Sequence, residues 1–328
     1  MHMNLVWTLI HRCVLAVVSV LVLTQHVIAQ TYPTKPVRII VGFPPGGGAD
    51  GAARLAAQKL SENLGQALIV ENLPGASSSI SIERVASLPP DGYTLLLMSS
   101  SGVAHAALAT RLPYDLERDF APISMLVIAP NVLVAHASLG VQSLEELVAL
   151  AKASPGKLNY GSSGVGGPSH FAGELLSSMA GIRMTHVPYK GSADIVAANL
   201  AGQIEVSFPT IPSVLAFLKT GKLRAIAVTS SVRAALLPAV PTLDESGLRG
   251  YDLSVWYGLL ARKAVPREII AKLNGIISRS FGATEIKELL LKQGSEARTS
   301  SPEQFAALIK RELEQNIQIV KSAGIKAE

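Results

Sequence analysis

Residues 37–54, VRIIVGFPPGGGADGAAR, decide how the rest of the chain is read. Val37, Ile39, Ile40 and Val41 form an apolar, β-branched run, which predicts a buried strand. The run stops at Pro44-Pro45, because proline cannot donate to a sheet ladder. Gly46, Gly47 and Gly48 follow. Ala52, Ala53, Leu55, Ala56, Leu60 and Leu64 then recur at helical spacing up to Gly65, a natural C-terminal stop. The order is strand, glycine loop, helix. Glycines let a main chain approach a ligand closely, and the N–H groups at a helix start favour an anion. No Lys-Ser/Thr follows the glycines, so this is not a phosphate loop, and the spacing does not fit the dinucleotide fingerprint. Taken alone, the stretch is equally well explained as a plain strand-to-helix turn without a ligand.

A second stretch repeats the design. Residues 158–162 read as a short strand, 161–170 (GSSGVGGPSH) as a Gly/Ser loop, and Phe171, Leu175, Leu176 and Met179 as one face of a helix. Further strands are expected at 67–71, 93–98, 185–189, 204–208 and 223–229, with helices between them. Such alternation predicts an α/β protein with mainly parallel sheets. In such sheets ligands sit beyond the carboxyl ends of the strands, where both loops and the cluster Ser99-Ser100-Ser101-Gly102 would lie. Residues 125–136 carry two apolar pieces around Pro130, long enough to cross between two domains, and 255–261 (VWYGLLA) supply a return crossing. Two amphipathic helices close the chain, at about 267–281 and 302–321. The second has a capping box at Ser301–Gln304, and its stripe of Phe305, Leu308, Ile309, Leu313 and Ile317 is expected to pack on the first domain.

Residues 1–29 read as a signal peptide, cleaved after Ala29: a weakly basic start, an apolar run of 11 residues at 13–23, and small residues at 27 and 29. The run is too short for a bilayer span of about 20 residues. Removal takes away Cys13, the only cysteine, so no disulfide or thiol chemistry is expected. It also removes one Arg of the 29 cationic residues, leaving 28 against 24 carboxylates, a net charge of +4. That mild excess, without a Lys/Arg run, speaks against nucleic-acid binding.

No local pattern supports catalysis. His105, His136, His170 and His186 lack metal-ligand spacing, and neither HExxH nor paired cysteines occur. A nucleophile elbow fails at Val165 when centred on Ser163 and at Tyr160 when centred on Ser162. No cofactor or metal is expected. What remains is a set of neutral donors at strand ends, which suits a small anion, a carboxylate above all, held without chemistry. An exported serine hydrolase using one of these serines with His105 or His170 is the rival from another class.

Taken together, YPTKPVRIIVGFPPGGGAD (32–50), ENLPGASSSI (71–80), LPPDGYTLL (88–96), LNYGSSGVGGPSHFAGELL (158–176), HVPYKGSAD (186–194), KLRAIAVTS (222–230) and WYGLLA (256–261) resemble the substrate-binding proteins of tripartite tricarboxylate transporters, the Bug-type receptors. The resemblance implies a two-domain, type II periplasmic-binding-protein fold of the Venus-flytrap kind with the ligand in the cleft between domains. The expected domains are 31–125 with 251–328, and 126–250. It implies a periplasmic, monomeric, non-enzymatic receptor that passes a di- or tricarboxylate or an aromatic carboxylate to a membrane permease. A ligand-sensing partner of a signalling system is the alternative within the same fold. The expected ligand-binding residues are Phe43, Pro45, Gly46 and Gly47; Ser99 and Ser100; Ser162, Ser163, Gly166, Ser169 and His170; and Tyr189 and Asp194. Trp256 is a further candidate for the cleft wall or the core. The chain departs from the family pattern at Ser77-Ser78-Ser79 and at Pro209-Thr210, where an acidic contact is missing. The latter tilts the expectation from amino acids towards plain carboxylates.

Overall fold

The apolar run at 37–41 forms strand β1 (Val37–Val41), with only Arg38 partly exposed. Its neighbours β2 (Leu68–Asn72) and β3 (Thr94–Ser99) are both parallel to it. β3 is buried along its whole length, as a strand covered on both faces must be. β4 (Phe120–Ala129), β10 (Val255–Arg262) and the short β11 (Glu296–Ala297) complete a sheet in the order β11-β4-β10-β3-β1-β2. A second sheet has the order β7-β6-β8-β5-β9, built from β5 (Val132–His136), β6 (Asn159–Ser162), β7 (Thr185–Pro188), β8 (Val206–Ser207) and β9 (Leu223–Val228).

The computed structural model describes Trp7 and residues 32–325 apart from 76, 77, 110, 163 and 190. Residues 1–34 and 35–328 are two separate units. In the first, Trp7 is exposed and the Tyr32–Pro33 bond is cis. The expected signal peptide at 1–29, Trp7 apart, lies outside the described residues. No helix among the described residues is long and apolar enough to cross a membrane.

The sheets are mixed rather than mainly parallel. β10 runs antiparallel to both β3 and β4, and β5 runs antiparallel to both β8 and β9. The reason lies in the connections. β5 follows β4 after only Pro130 and Asn131, and β10 brings the chain back from the second sheet to the first. A strand that enters directly from the other sheet starts at the opposite end from strands wound through helices. The single-turn α4 (Leu116–Asp119) and α10 (Thr284–Lys292) were not anticipated; only Ile286 and Leu290 are buried in α10.

Side-chain alternation separates the two faces of the first sheet. Ile40, Leu96, Met98, Trp256 and Leu260 share one core with α2 (Ser79–Ala86), α3 (Ser100–Leu108) and α11 (Pro302–Ala323). Ile39, Val41, Leu95, Leu97 and Leu259 are equally buried and point the other way. There α1 (Gly48–Leu64) and α9 (Arg267–Gly282) pack on the strands and on each other. In the second sheet, Leu133, Ala135, Tyr160 and Ile226 meet α5 (Leu144–Ala153) and α6 (Pro168–Ala180). α7 (Ser192–Leu200) and α8 (Ile211–Leu218) pack on Val132, Val134 and Val228.

The closing helix does more than the sequence suggested. Phe305 and Ile309 of α11 lie in the core of the first sheet, but Ile319 joins the core of the second. The contact with the first sheet requires a glycine. A Cβ on Gly258 would run into the Phe305 ring and stand 2.9 Å from the Ser124 carbonyl oxygen. Gly258→Ala is therefore expected to lose about 2–3 kcal/mol of stability through overpacking, measured by chemical denaturation.

Candidate functional site

Val41 of β1 lies opposite Leu97 of β3, so the chain leaves both strands at the same edge of the sheet. Residues 42–47 emerge there beside Ser99. The loop is shaped by one buried carboxylate. Gly46, at φ 85°, donates its N–H to Asp50 Oδ2 at 3.0 Å. Arg54 Nε donates to the same oxygen at 2.8 Å, and Asn72 Nδ2 to Asp50 Oδ1 at 3.0 Å. Asn72, at the end of β2, also donates to the Phe43 carbonyl at 3.0 Å, which ties the loop to the sheet. The hydrogen bond from Arg54, with those from Gly46 and Asn72, holds the Asp50 carboxyl down at about 2 against the opposing effect of burial. Gly47 then stands at the N-cap of α1 in extended conformation, and Gly46 to Gly48 are exposed. The first-turn N–H groups of α1 have no intrahelical acceptor and sit at the positive end of its dipole.

The second loop uses the same device. Gly166, at φ 71°, donates its N–H to Nδ1 of His170 at 3.0 Å, and Gly167 occupies the N-cap of α6 in extended conformation. Gly46 and Asp50 correspond to Gly166 and His170, each pair four residues apart. Here the acceptor is neutral. The His170 ring stacks on His186, with centroids 3.7 Å apart and planes 5° from parallel. Burial lowers both imidazoles to about 4, with His186 adding repulsion at His170. His170 Nε2 faces Glu174 Oε1 at 3.9 Å, and Tyr160 donates its hydroxyl to the same oxygen.

The expected site residues fall into two groups. Phe43, Pro45, Gly46, Gly47 and Ser99 lie at the edge formed by β1 and β3. Ser162, Gly166, Ser169, His170, Tyr189 and Asp194 lie at the ends of β6 and β7 and the starts of α6 and α7. Gly166 stands against Leu108 of α3, the helix that leaves the first edge, so the two groups meet along α3. Ser163 lies outside the described residues. Several side chains have internal tasks. The Ser162 hydroxyl is fully buried, shares a 2.6 Å hydrogen bond with His186 Nε2 and accepts from the Gly164 N–H. The histidine beside Ser162 is thus His186, not His105 or His170, and the pair is closed to a substrate. The Ser99 and Ser100 hydroxyls are buried without partners among the described residues, and Ser100 faces α11. The Tyr189 ring packs on Ile195 and Ile204, its N–H bonded to the Ser162 carbonyl, and Asp194 is exposed in the first turn of α7.

Two residues of the first edge were missed. One is Asp50, whose spacing from Gly46 carries the loop. The other is Tyr257. Trp256 points into the core, 1 % exposed, and donates its indole N–H to Glu312. Its neighbour Tyr257 therefore points the other way, opposite Ser99 in the ladder. Its ring is edge-on to Phe43 at 6.3 Å and lies beside Gly48. Burial raises its pKa, so the hydroxyl stays protonated, and it has no partner among the described residues. Ser78, where the family pattern is broken, is the one left-handed non-glycine among the described residues, at φ 77°; it is buried under Gly42 and donates to the Gly42 carbonyl.

Two sheets linked by two crossings of the chain, with paired glycine loops at strand ends, define a two-domain periplasmic-binding fold. No group of His, Cys, Asp and Glu among the described residues could hold a metal ion. The profile of the tripartite tricarboxylate transporter family receptor matches residues 52–325, and the chain belongs to that family. It is 35 % identical over 318 residues to the protein BugT of Bordetella pertussis, covering 95 % of this chain and 98 % of BugT. Among solved structures it is similar to an R. palustris protein with adipate, at 32 % identity and a TM-score of 0.72, covering 90 % of this chain and 99 % of the other. It is likewise similar to MatC of Rhodopseudomonas palustris with bound malate, at 30 % identity and a TM-score of 0.69, covering 88 % and 100 %.

Proposed function

We propose that this chain is an exported, monomeric receptor that captures a small carboxylate and hands it to the membrane permease of a tripartite tricarboxylate transporter. One lobe is built on the first sheet, about 35–129 with 255–325, and the other on the second, about 132–253, with the crossings near 130–131 and 254 as hinges. The leader is removed after Ala29 and the receptor works in the periplasm without catalysis. The observation that carries this reading is the pair of loops, each with a glycine N–H captured at position i+4; at the first of them the N–H groups that open α1 are left for a ligand. Tyr257 and Phe43 wall the first loop. No Lys or Arg side chain is needed, because several aligned neutral donors can hold a carboxylate. The relatives solved with adipate and malate support a dicarboxylate as ligand.

A thermal-shift screen of dicarboxylates and aromatic carboxylates tests this. A ligand at about 100 times its Kd adds about 2.7 kcal/mol of stability, on the order of 5 °C in Tm for a chain of this size. The absence of a shift with every acid tried would sink the reading.

A further inference from the structure

On the α11 face of the first sheet, opposite Tyr257, lies a cavity of about 270 Å³. Its floor is apolar and includes Met125, Leu308 and the edge-to-face pair Trp256 and Phe305, with centroids 5.1 Å apart. Its polar groups are out of balance. Arg311 pairs with Asp252 at 3.4 Å, and Asp252 also accepts the Ser231 N–H. Arg298 contributes only its backbone N–H to a hydrogen bond, so its guanidinium has no partner among the described residues. The Ser254 and Thr299 hydroxyls on the same wall are also without partners there.

Glu312 lies deeper, 8 % exposed, with its two carboxyl oxygens 2.8 and 2.9 Å from the Trp256 indole nitrogen. Burial raises its pKa to about 8; the indole hydrogen bond and Arg311 oppose the shift, and Asp252 adds to it. At neutral pH the carboxyl therefore carries a proton. Indole is a donor only, so it cannot accept that O–H. The cavity thus presents a cation without a counter-charge, two unpartnered hydroxyls and a carboxylic acid O–H beside apolar side chains.

We propose that this cavity is a second ligand site, separate from the glycine loops, that takes a small monocarboxylate with an apolar body. The carboxylate meets Arg298 and Glu312, and the body lies on Met125 and Leu308, over the buried Trp256 and Phe305. This assignment does not depend on the reading of the glycine-loop site.

Benzoate is a suitable probe, followed by the indole N–H signal of the ¹⁵N-labelled protein from residue 30 onward, in which Trp256 is the single tryptophan. Saturable movement of that signal is expected. Arg298→Gln should weaken the effect about tenfold, the loss of one charge-assisted contact. Arg298 is only half-buried, so its variant should keep the wild-type Tm. In the wild type, affinity should fall as pH rises through about 8 and Glu312 ionises, and Glu312→Gln should remove that dependence. An unmoved Trp256 signal, or unchanged affinity in Arg298→Gln, overturns the proposal. So does a benzoate effect abolished by Asp50→Ala, which would place the probe at the glycine loops.

Discussion

Acidification from pH 7 to pH 4 is expected to remove on the order of 3–5 kcal/mol of folding stability, most of it through His170 and His186. Both imidazoles titrate at about 4 when folded and at 6.5 when unfolded. Between these values the unfolded chain binds protons that the folded chain refuses. The histidine contribution therefore falls as pH drops from 6.5 and is fully lost a little below 4. Each shift alone corresponds to at most about 3 kcal/mol, less at the half-buried His186 where solvent screens it, and the stacked pair loses less than the sum because the two rings share one environment. The local chemistry fails with it. Protonation at Nδ1 would turn the acceptor for the Gly166 N–H into a second donor, so the second loop should lose its shape before the whole chain unfolds. Denaturant unfolding at a series of pH values measures the slope, and a His170→Gln, His186→Gln double variant should flatten it between pH 6.5 and 4. A wild-type stability that stays constant over that range would contradict the assignment.

The elements that carry the candidate site were legible where local chemistry determines them. A β-branched run ending at Pro44-Pro45 and a glycine cluster can only be a strand leaving a sheet, and GSSGVGGPSH gives the same signal. The antiparallel sense of β5 and β10 was not legible, because it depends on which sheet a strand enters and not on its own residues. The phase of β10 was hidden for a related reason. WYG fixes that two aromatics point to opposite faces, but only the packing of Phe305 and Glu312 decides that Trp256 is inside and Tyr257 faces the loop. Asp50 could have been found. The spacing from Gly46 to Asp50 equals that from Gly166 to His170, and a polar side chain four residues after a loop glycine, inside the first turn of a helix, is placed to accept that glycine's N–H.

The largest functional loss is expected for Asp50→Ala. The carboxylate gathers three donors, from Gly46, Arg54 and Asn72, and through Asn72 it also fixes the Phe43 carbonyl. Its removal frees the Gly46 N–H and loosens residues 43–47, which lead into the exposed start of α1. Charge-assisted hydrogen bonds of this kind contribute about 2 kcal/mol, so ligand affinity should fall on the order of thirtyfold. Stability should fall by up to about 2 kcal/mol, reduced by solvent screening on the exposed side of the loop. That contribution belongs to the window from pH 3.8 down to about 2, below the one governed by the histidines, since the folded carboxyl is the stronger acid. Arg54→Gln separates the causes. It removes the cation but leaves the Gly46 contact, so it should lower stability while changing affinity far less than Asp50→Ala. Calorimetric titration with the acid found by thermal shift compares the three proteins. Equal affinity in wild type and Asp50→Ala would mean that the loop holds its shape without the carboxylate, and that the ligand is gripped elsewhere.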